Sequence, residues 1–142
     1  MEHVVYVDAK AKELSKLLDG SKTMVIRGAA GRKLPHGRVF TGDVLYFLEN
    51  NAEGHVKAKA KVLSVFNSDK MTEEESTALV KNNQGKLQLT DVQFKRWAGK
   101  KYIVLIEITH AAPVEPFAVD KSNYGNMDDW LPVGDINSVK VK

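Results

Sequence analysis

Between Gly20 and Gly42 the chain carries five cations, Lys22, Arg27, Arg32, Lys33 and Arg38, and no carboxylate. Within that stretch, Gly28-Ala29-Ala30-Gly31-Arg32-Lys33 has the composition of an anion cradle: glycines let backbone amides approach a phosphate, and cations complete the charge. A solvated, mobile loop is the plainer reading of the same residues. The Gly-Lys-Ser/Thr ending of a Walker loop is absent and no helix follows, which disfavours nucleoside triphosphate hydrolysis. Lys57, Lys59 and Lys61 share one face of a strand at a spacing that can follow a nucleic-acid backbone; the alternative is an edge strand protected from aggregation by lysines. Tyr124 and Trp130 can each offer a flat apolar face to a nucleobase. Trp130, beside Leu131 and Pro132, fits a place in the core better.

Other chemistries find little support. The chain has no cysteine, so thiol nucleophiles, disulfides and thiolate metal sites are excluded. Its histidines, at 3, 36, 55 and 110, have no metal-ligand spacing, and no metal site or cofactor is expected. No Gly-x-Ser-x-Gly elbow occurs. The adjacent Asp128 and Asp129 read as solvated carboxylates or a helix cap rather than as a catalytic pair.

These residues need a scaffold, and the pattern supplies one. Asp8 is a good N-cap, and Ala11, Leu14, Leu17 and Leu18 recur at the spacing of one buried helical face, which Gly20 ends. Thr23 to Ile26 reads as a short strand and Gly28 to Gly37 as a long loop. Val44 to Leu48 is nearly continuously apolar, as a barrel strand is. After the turn at Asn50 to Gly54, Val56 to Val62 alternates strictly, so the two form a hairpin with a basic outer face. Thr72-Glu73-Glu74-Glu75 is a capping box that starts a helix to about Lys81. Thr90-Asp91 opens a second short helix, turning Val92 and Trp97 inward before Gly99. Lys101 to Thr109 is the best central strand. Beyond it Pro113, Pro116 and Pro132 confine any strand to an edge, a loop runs through Ser122 to Asn126, and the alternating Ser138 to Lys142 is a candidate to close the sheet.

At 142 residues one core and one domain, 1–142, are expected. With 43% hydrophobic and 27% charged residues the composition is that of an ordinary globular protein. The longest apolar run, Ile103 to Ile106, is too short to cross a bilayer. The N-terminus lacks the pattern of a secretory signal. A soluble protein of the reducing cytoplasm is expected. The net charge of +3 is small, but Glu107 to Asp135 holds six carboxylates against Lys121. The chain thus sets an acidic late segment against the basic early one, and a positive cleft would attract anions.

The segments Gly20-Ser21-Lys22-Thr23-Met24-Val25-Ile26-Arg27 and Thr41-Gly42-Asp43-Val44-Leu45 resemble the ASCH family of the PUA-like superfamily. In that family a short helix leads into a Gly-x-Lys-Thr strand ending in arginine, and a Gly-Asp strand follows. The resemblance runs from Ala9 onward, although its specific motifs occupy only about two dozen residues. It implies an α+β fold: a PUA-like, five- or six-stranded, mostly antiparallel β-barrel with flanking short helices. It also implies a cleft lined by the Lys-Thr strand. Members are proposed to bind RNA, and some hydrolyse acylated cytidines or cut RNA. In the hydrolases a lysine, a threonine and a glutamate are proposed to act. Lys22 and Arg27 match family positions, whereas Val25 stands where the threonine is expected and Thr23 takes the other position of the motif. Asn82-Asn83-Gln84-Gly85 lies where the glutamate would be sought.

The departures favour binding over that hydrolysis, because valine has no hydroxyl to act as nucleophile. The first expectation is an RNA or modified-nucleotide binding module using Lys22, Arg27, Arg32, Lys33 and Arg38, with Lys57, Lys59 and Tyr124 as further contacts. The alternative is a small amidohydrolase acting on an acylated nucleoside such as N4-acetylcytidine, or a ribonuclease, with Lys22, Thr23 and Arg27 as its catalytic candidates. A protein-interaction module using the acidic late loop is a third. No membrane or metal partner is expected, and the oligomeric state is left open.

Overall fold

The computed structural model describes residues 1–124 and 129–141; Gly125 and Asn126 of the late loop, Asp128 and Lys142, all named above, lie outside the described residues. The strands are β1 (Glu2–Val7), β2 (Met24–Ala29), β3 (Val44–Glu49), β4 (His55–Asn67), β5 (Tyr102–Ala118) and β6 (Trp130–Gly134). The helices are α1 (Glu13–Leu18), α2 (Glu73–Asn82), α3 (Gln84–Leu87) and α4 (Asp91–Trp97). The strands make one sheet in the order β2-β5-β4-β3-β1-β6. β1 runs parallel to β3 and the other pairings are antiparallel.

β2 and β6 are the two edges of this sheet, so it is a curled half-barrel rather than a closed one. One apolar cluster shows the curl. It gathers Val5 and Val7, Val25, Leu45 and Phe47, Ala58, Ala60 and Val62, Val104, Ile106 and Ile108, and Trp130, so that all six strands contribute, and α1 adds Leu14 and Leu17. A flat sheet would spread those residues too far apart to touch. On the opposite face of β2 and β5, Met24, Ile26, Ile103 and Leu105 pack against Val80, Leu87, Leu89 and Trp97 from the helical segment. The continuous apolar run in β5 follows from this burial on both faces.

Both helix-start signals operate: Thr72 and Thr90 each form a capping box, with Glu75 and Gln93 respectively. In α4, however, Gln93 and Trp97 are the buried residues, one turn apart on the same face. Val92 falls on the other side and is 77% exposed, against the expectation that it points inward. Asp8 caps the turn before α1, its side chain accepting from the Ala11 amide at 3.1 Å, and the helix itself begins only at Glu13.

β4 lies inside the sheet, between β3 and β5, so its lysines do not guard an edge. The prolines behave as expected. β2 pairs only with Tyr102–Glu107 of β5, leaving Pro113 and Pro116 on a stretch bonded to β4 alone, and Pro132 sits in edge strand β6. Among the described residues the C-terminal alternation does not close the sheet. Ile136–Ser138 form a 3-10 turn, and Lys140 makes only an isolated bridge to Val119.

At one end of the inner core, His3 is fully buried between two partners. The Trp130 indole donates to its Nδ1 at 3.1 Å, so the ring proton sits on Nε2 and is donated to the Asp43 carboxylate at 2.9 Å. Burial pushes the His3 pKa below its usual 6.5, with Asp43 opposing. The unfolded chain therefore binds this proton at a pH where the native ring does not. Stability should be fully present above pH 6.5 and fall as pH drops below it, by up to about 1.4 kcal/mol per pH unit. Urea unfolding of wild type from pH 7.5 to 5, with the imidazole followed by NMR, checks this. Native His3 titrating above 6.5 would contradict it.

No helix among the described residues is long and apolar enough to cross a membrane.

Candidate functional site

The open seam of the half-barrel is bridged by one side chain. Arg27, on β2, is only 8% exposed; it faces the same side as Val25 and extends toward β1 and β6. Its Nη2 donates to the Tyr6 carbonyl on β1 and its Nη1 to the carbonyl of Ile26 at 2.8 Å. The guanidinium lies between two indoles, with its carbon 5.9 Å from the Trp97 ring centre and 5.5 Å from that of Trp130. Both distances are within the range of a cation on an aromatic face.

A cavity of about 260 Å³ opens beside it, lined by Tyr6, Asp8, Glu13, Asn50, Gln93, Arg96, Trp97, Lys121 and Asp129, among others. A second, of about 220 Å³, shares Arg27, Arg96, Trp97 and Asp129 with the first and adds Gly28, Lys33, Leu34 and Lys100. The two make one cleft. Its cations are Arg27, Lys33, Arg96, Lys100 and Lys121, and its carboxylates Asp8, Glu13 and Asp129. Arg96 covers the Trp97 ring at 4.4 Å and Lys121 the Tyr6 ring at 4.8 Å. Gly28 lets this wall pack closely: a Cβ there would come within 3.2 Å of the Lys100 side chain and 3.3 Å of the Tyr102 carbonyl, so these neighbours would have to give slightly.

The floor hides an ion pair. Lys22 is 1% exposed, its ammonium held 3.3 Å from Glu13 Oε2 and donating to the Leu87 carbonyl. Glu13 Oε1 accepts from the Asp8 amide at 2.8 Å. Burial lowers the Lys22 pKa below its usual value, Glu13 opposes the shift, and the charges of Arg27 and Lys16 add to it. Glu13 thus touches both the cleft and the buried lysine. It was not singled out in the sequence, where the only available signal was a carboxylate on the apolar side of a short helix.

The residues singled out in the sequence are dispersed. Arg27 and Lys33 line the cleft. Arg32 is exposed on the adjoining loop, its guanidinium 5.7 Å from the Tyr102 ring centre. Arg38 is also exposed but lies toward His3, whose protonation its charge disfavours. Lys22 is beneath the cleft rather than in it. Thr23 is half-buried and lines a different cavity with Leu17, Thr109 and His110, which shares no lining residue with the cleft. Val25 is fully buried in the inner core. Lys57 is engaged by Glu53 at 2.6 Å and Glu49 at 3.7 Å, and Lys59 is exposed in the middle of the sheet. Tyr124 packs on the cluster of Val4, Leu131 and Ile136, away from the cleft lining. Trp130, 1% exposed, is a core residue, and Asp129 pairs with Arg27 and Arg96. Among the described residues no three of histidine, aspartate and glutamate are grouped to hold a metal.

The sequence matches no protein-family description and no curated protein. Solved structures do resemble it. The crystal structure of ASCH from Zymomonas mobilis superposes with a TM-score of 0.69 at 14% identity, covering 99% of this chain and 96% of that one. Two single-substitution variants of that protein each give 0.67 at 14% identity, one covering 99% of both chains and the other 91% of this chain and 85% of its own. With the six-stranded half-barrel, its parallel β1–β3 pair and its short flanking helices in view, the likeness first read at Lys22-Thr23 and Gly42-Asp43 is a likeness of architecture: the chain has the ASCH fold.

Proposed function

We propose that the protein binds RNA or a nucleotide-like ligand in the Arg27 cleft. The observation that carries this reading is the convergence of Arg27, Lys33, Arg96, Lys100 and Lys121 on one concave surface bordered by Tyr6 and Trp97. Cations supply the sequence-independent attraction for phosphates, and guanidinium planes such as that of Arg96 also stack on bases. Each half of the cleft, about 260 and 220 Å³, is below the roughly 300–1,000 Å³ of sites for drug-sized ligands and the two together fall within it, which leaves room for a nucleotide-sized ligand. Two observations favour binding over deacylation of an acylated nucleoside. Val25 is enclosed in the core, and the Lys22 ammonium is sealed by Glu13 and the Leu87 carbonyl, so neither side chain touches a molecule in the cleft.

Each phosphate neutralised on a single strand contributes about −0.7 to the slope of log affinity against log salt, so three or four contacts give about −2 to −3. Replacing Arg32 and Lys33 together by alanine should weaken binding at low salt and flatten the slope by roughly one unit. Stability should change by no more than about 0.5 kcal/mol, since both side chains are exposed. Fluorescence anisotropy of a labelled single-stranded oligoribonucleotide at several salt concentrations measures both quantities. Absence of binding by wild type at low salt would remove the reading.

A further inference from the structure

One atom in the cleft is left without a partner. The Nε of Arg27 is the only buried side-chain nitrogen or oxygen among the described residues that makes no hydrogen bond. Asp129 Oδ2 stands 3.2 Å from it, close enough for attraction, yet the N–H is not aimed at that oxygen. The same oxygen is 3.9 Å from Arg96 Nη2, and the Asp129 side chain is 41% exposed. A carboxylate built to satisfy Arg27 would be buried and aligned. This one is loosely seated and shared between two arginines, and it borders both cavities.

A buried donor without a partner has lost water and gained nothing in exchange, and such a group in a native structure calls for an explanation. An oxyanion entering the cleft supplies one. Arg27, Lys33, Arg96 and Lys100 all line the cavity that Asp129 borders, two arginines and two lysines being a set suited to a phosphoryl group with several acceptor oxygens.

Building on the proposed function, we infer that the site between Arg27 and Arg96 is a phosphoryl seat, and that the Asp129 carboxylate occupies it in place of a ligand and competes with it. The competition sets a threshold. A ligand enters only by exchanging an ill-aligned carboxylate for an oxygen that Arg27 Nε can reach, so anionic ligands are selected over neutral ones of the same shape. Asp129 is then a specificity element, not a group that stabilises the fold. Its structural contribution is made by its backbone carbonyl, which accepts from the Tyr6 amide at 3.0 Å and is retained in any side-chain variant.

The test is a titration of the full chain with inorganic phosphate, followed by ³¹P NMR line width, for wild type, Asp129→Asn, Asp129→Ala and the double variant Asp129→Ala with Arg96→Ala. The gain of one charge-assisted hydrogen bond predicts phosphate binding about tenfold tighter in both single variants, and return toward the wild-type value when Arg96 is also removed. Equal or weaker phosphate binding in the single variants overturns the inference. Single-stranded oligoribonucleotide is titrated in parallel. Tighter phosphate binding with no RNA binding by any protein leaves the phosphoryl seat standing and removes the nucleic-acid reading. RNA binding by wild type without the gain for phosphate does the reverse.

Discussion

Glu13→Ala should destabilise the protein by about 3–5 kcal/mol at neutral pH, the range seen when one member of a buried ion pair is removed. The Lys22 ammonium, 1% exposed, would then keep only the Leu87 carbonyl, and the Asp8 amide would lose its acceptor. Lys22→Met should cost less, because Glu13 would still accept from that amide and borders the cleft, where water reaches it. Glu13→Gln with Lys22→Met should recover much of the single-variant loss, as replacement of both charges leaves neither uncompensated. The deficit of Glu13→Ala also has a predictable pH dependence. A lysine whose native pKa is lowered binds fewer protons folded than unfolded, so stability rises with pH up to the unfolded value of 10.5. Without Glu13 the lowering deepens, and the deficit should shrink as pH climbs. Urea denaturation of the four proteins at pH 7 and pH 9.5 measures each step. A loss below about 1 kcal/mol for Glu13→Ala would mean the pair is not closed to solvent.

Arg27→Met should be the most damaging single change to the cleft. It removes the donors to the Tyr6 and Ile26 carbonyls, and a buried acceptor left unpaired costs about 1–3 kcal/mol. The aliphatic replacement still fills part of the space between Trp97 and Trp130, so folding should survive. Binding of RNA at low salt should fall by more than tenfold, since the variant loses the charge at the centre of the site. The salt slope should drop by about 0.7. Arg27→Lys separates the two roles. It keeps the charge and thus most of the salt dependence, but a point ammonium cannot hold the carbonyls of Tyr6 and Ile26 and face both indoles as the planar fork does. Its stability should therefore fall nearly as far as that of Arg27→Met. Urea midpoints and anisotropy titrations for both variants give the comparison; wild-type affinity in Arg27→Met would take Arg27 out of the site.

Local signals in the sequence were faithful where a few neighbouring residues settle the outcome. The Thr72 and Thr90 capping boxes, the alternation of Val56 to Val62 and the apolar run in β5 all depend on spacing within one or two turns or one strand, and all hold. The motif around Lys22 and Gly42 pointed to the right fold. The strand at Val4-Val5-Tyr6-Val7 was missed although its β-branched run is typical of strands, and its parallel pairing with β3 has no local signal at all. β6 was missed because Pro132 argues against a strand unless it is known to lie at an edge.

The cleft was legible only in part. Arg27 and Lys33 stand out by charge and glycine context. Arg96, Lys100, Lys121 and Asp129 reach the same place from α4, the turn after it and the approach to β6, a convergence created by the curl of the sheet. Lys22 misled for the opposite reason. A lysine in a basic stretch reads as a surface charge, but α1 turns Glu13 back over it and encloses both. Val92 misled because a seven-residue helix shows only one face inward, and Gln93 and Trp97 occupy it.

Amide chemical-shift mapping distinguishes a ligand that enters the Arg27 cleft from one that meets the basic face of β4. A short single-stranded oligoribonucleotide of mixed sequence is titrated into the isotope-labelled protein at low salt. Perturbations should concentrate at Tyr6, Arg27, Gly28, Lys33, the Gln93–Lys100 stretch and Asp129, with Lys57, Lys59 and Lys61 unmoved. Shifts centred on the β4 lysines, or none at any residue at saturating RNA, would contradict binding in the cleft.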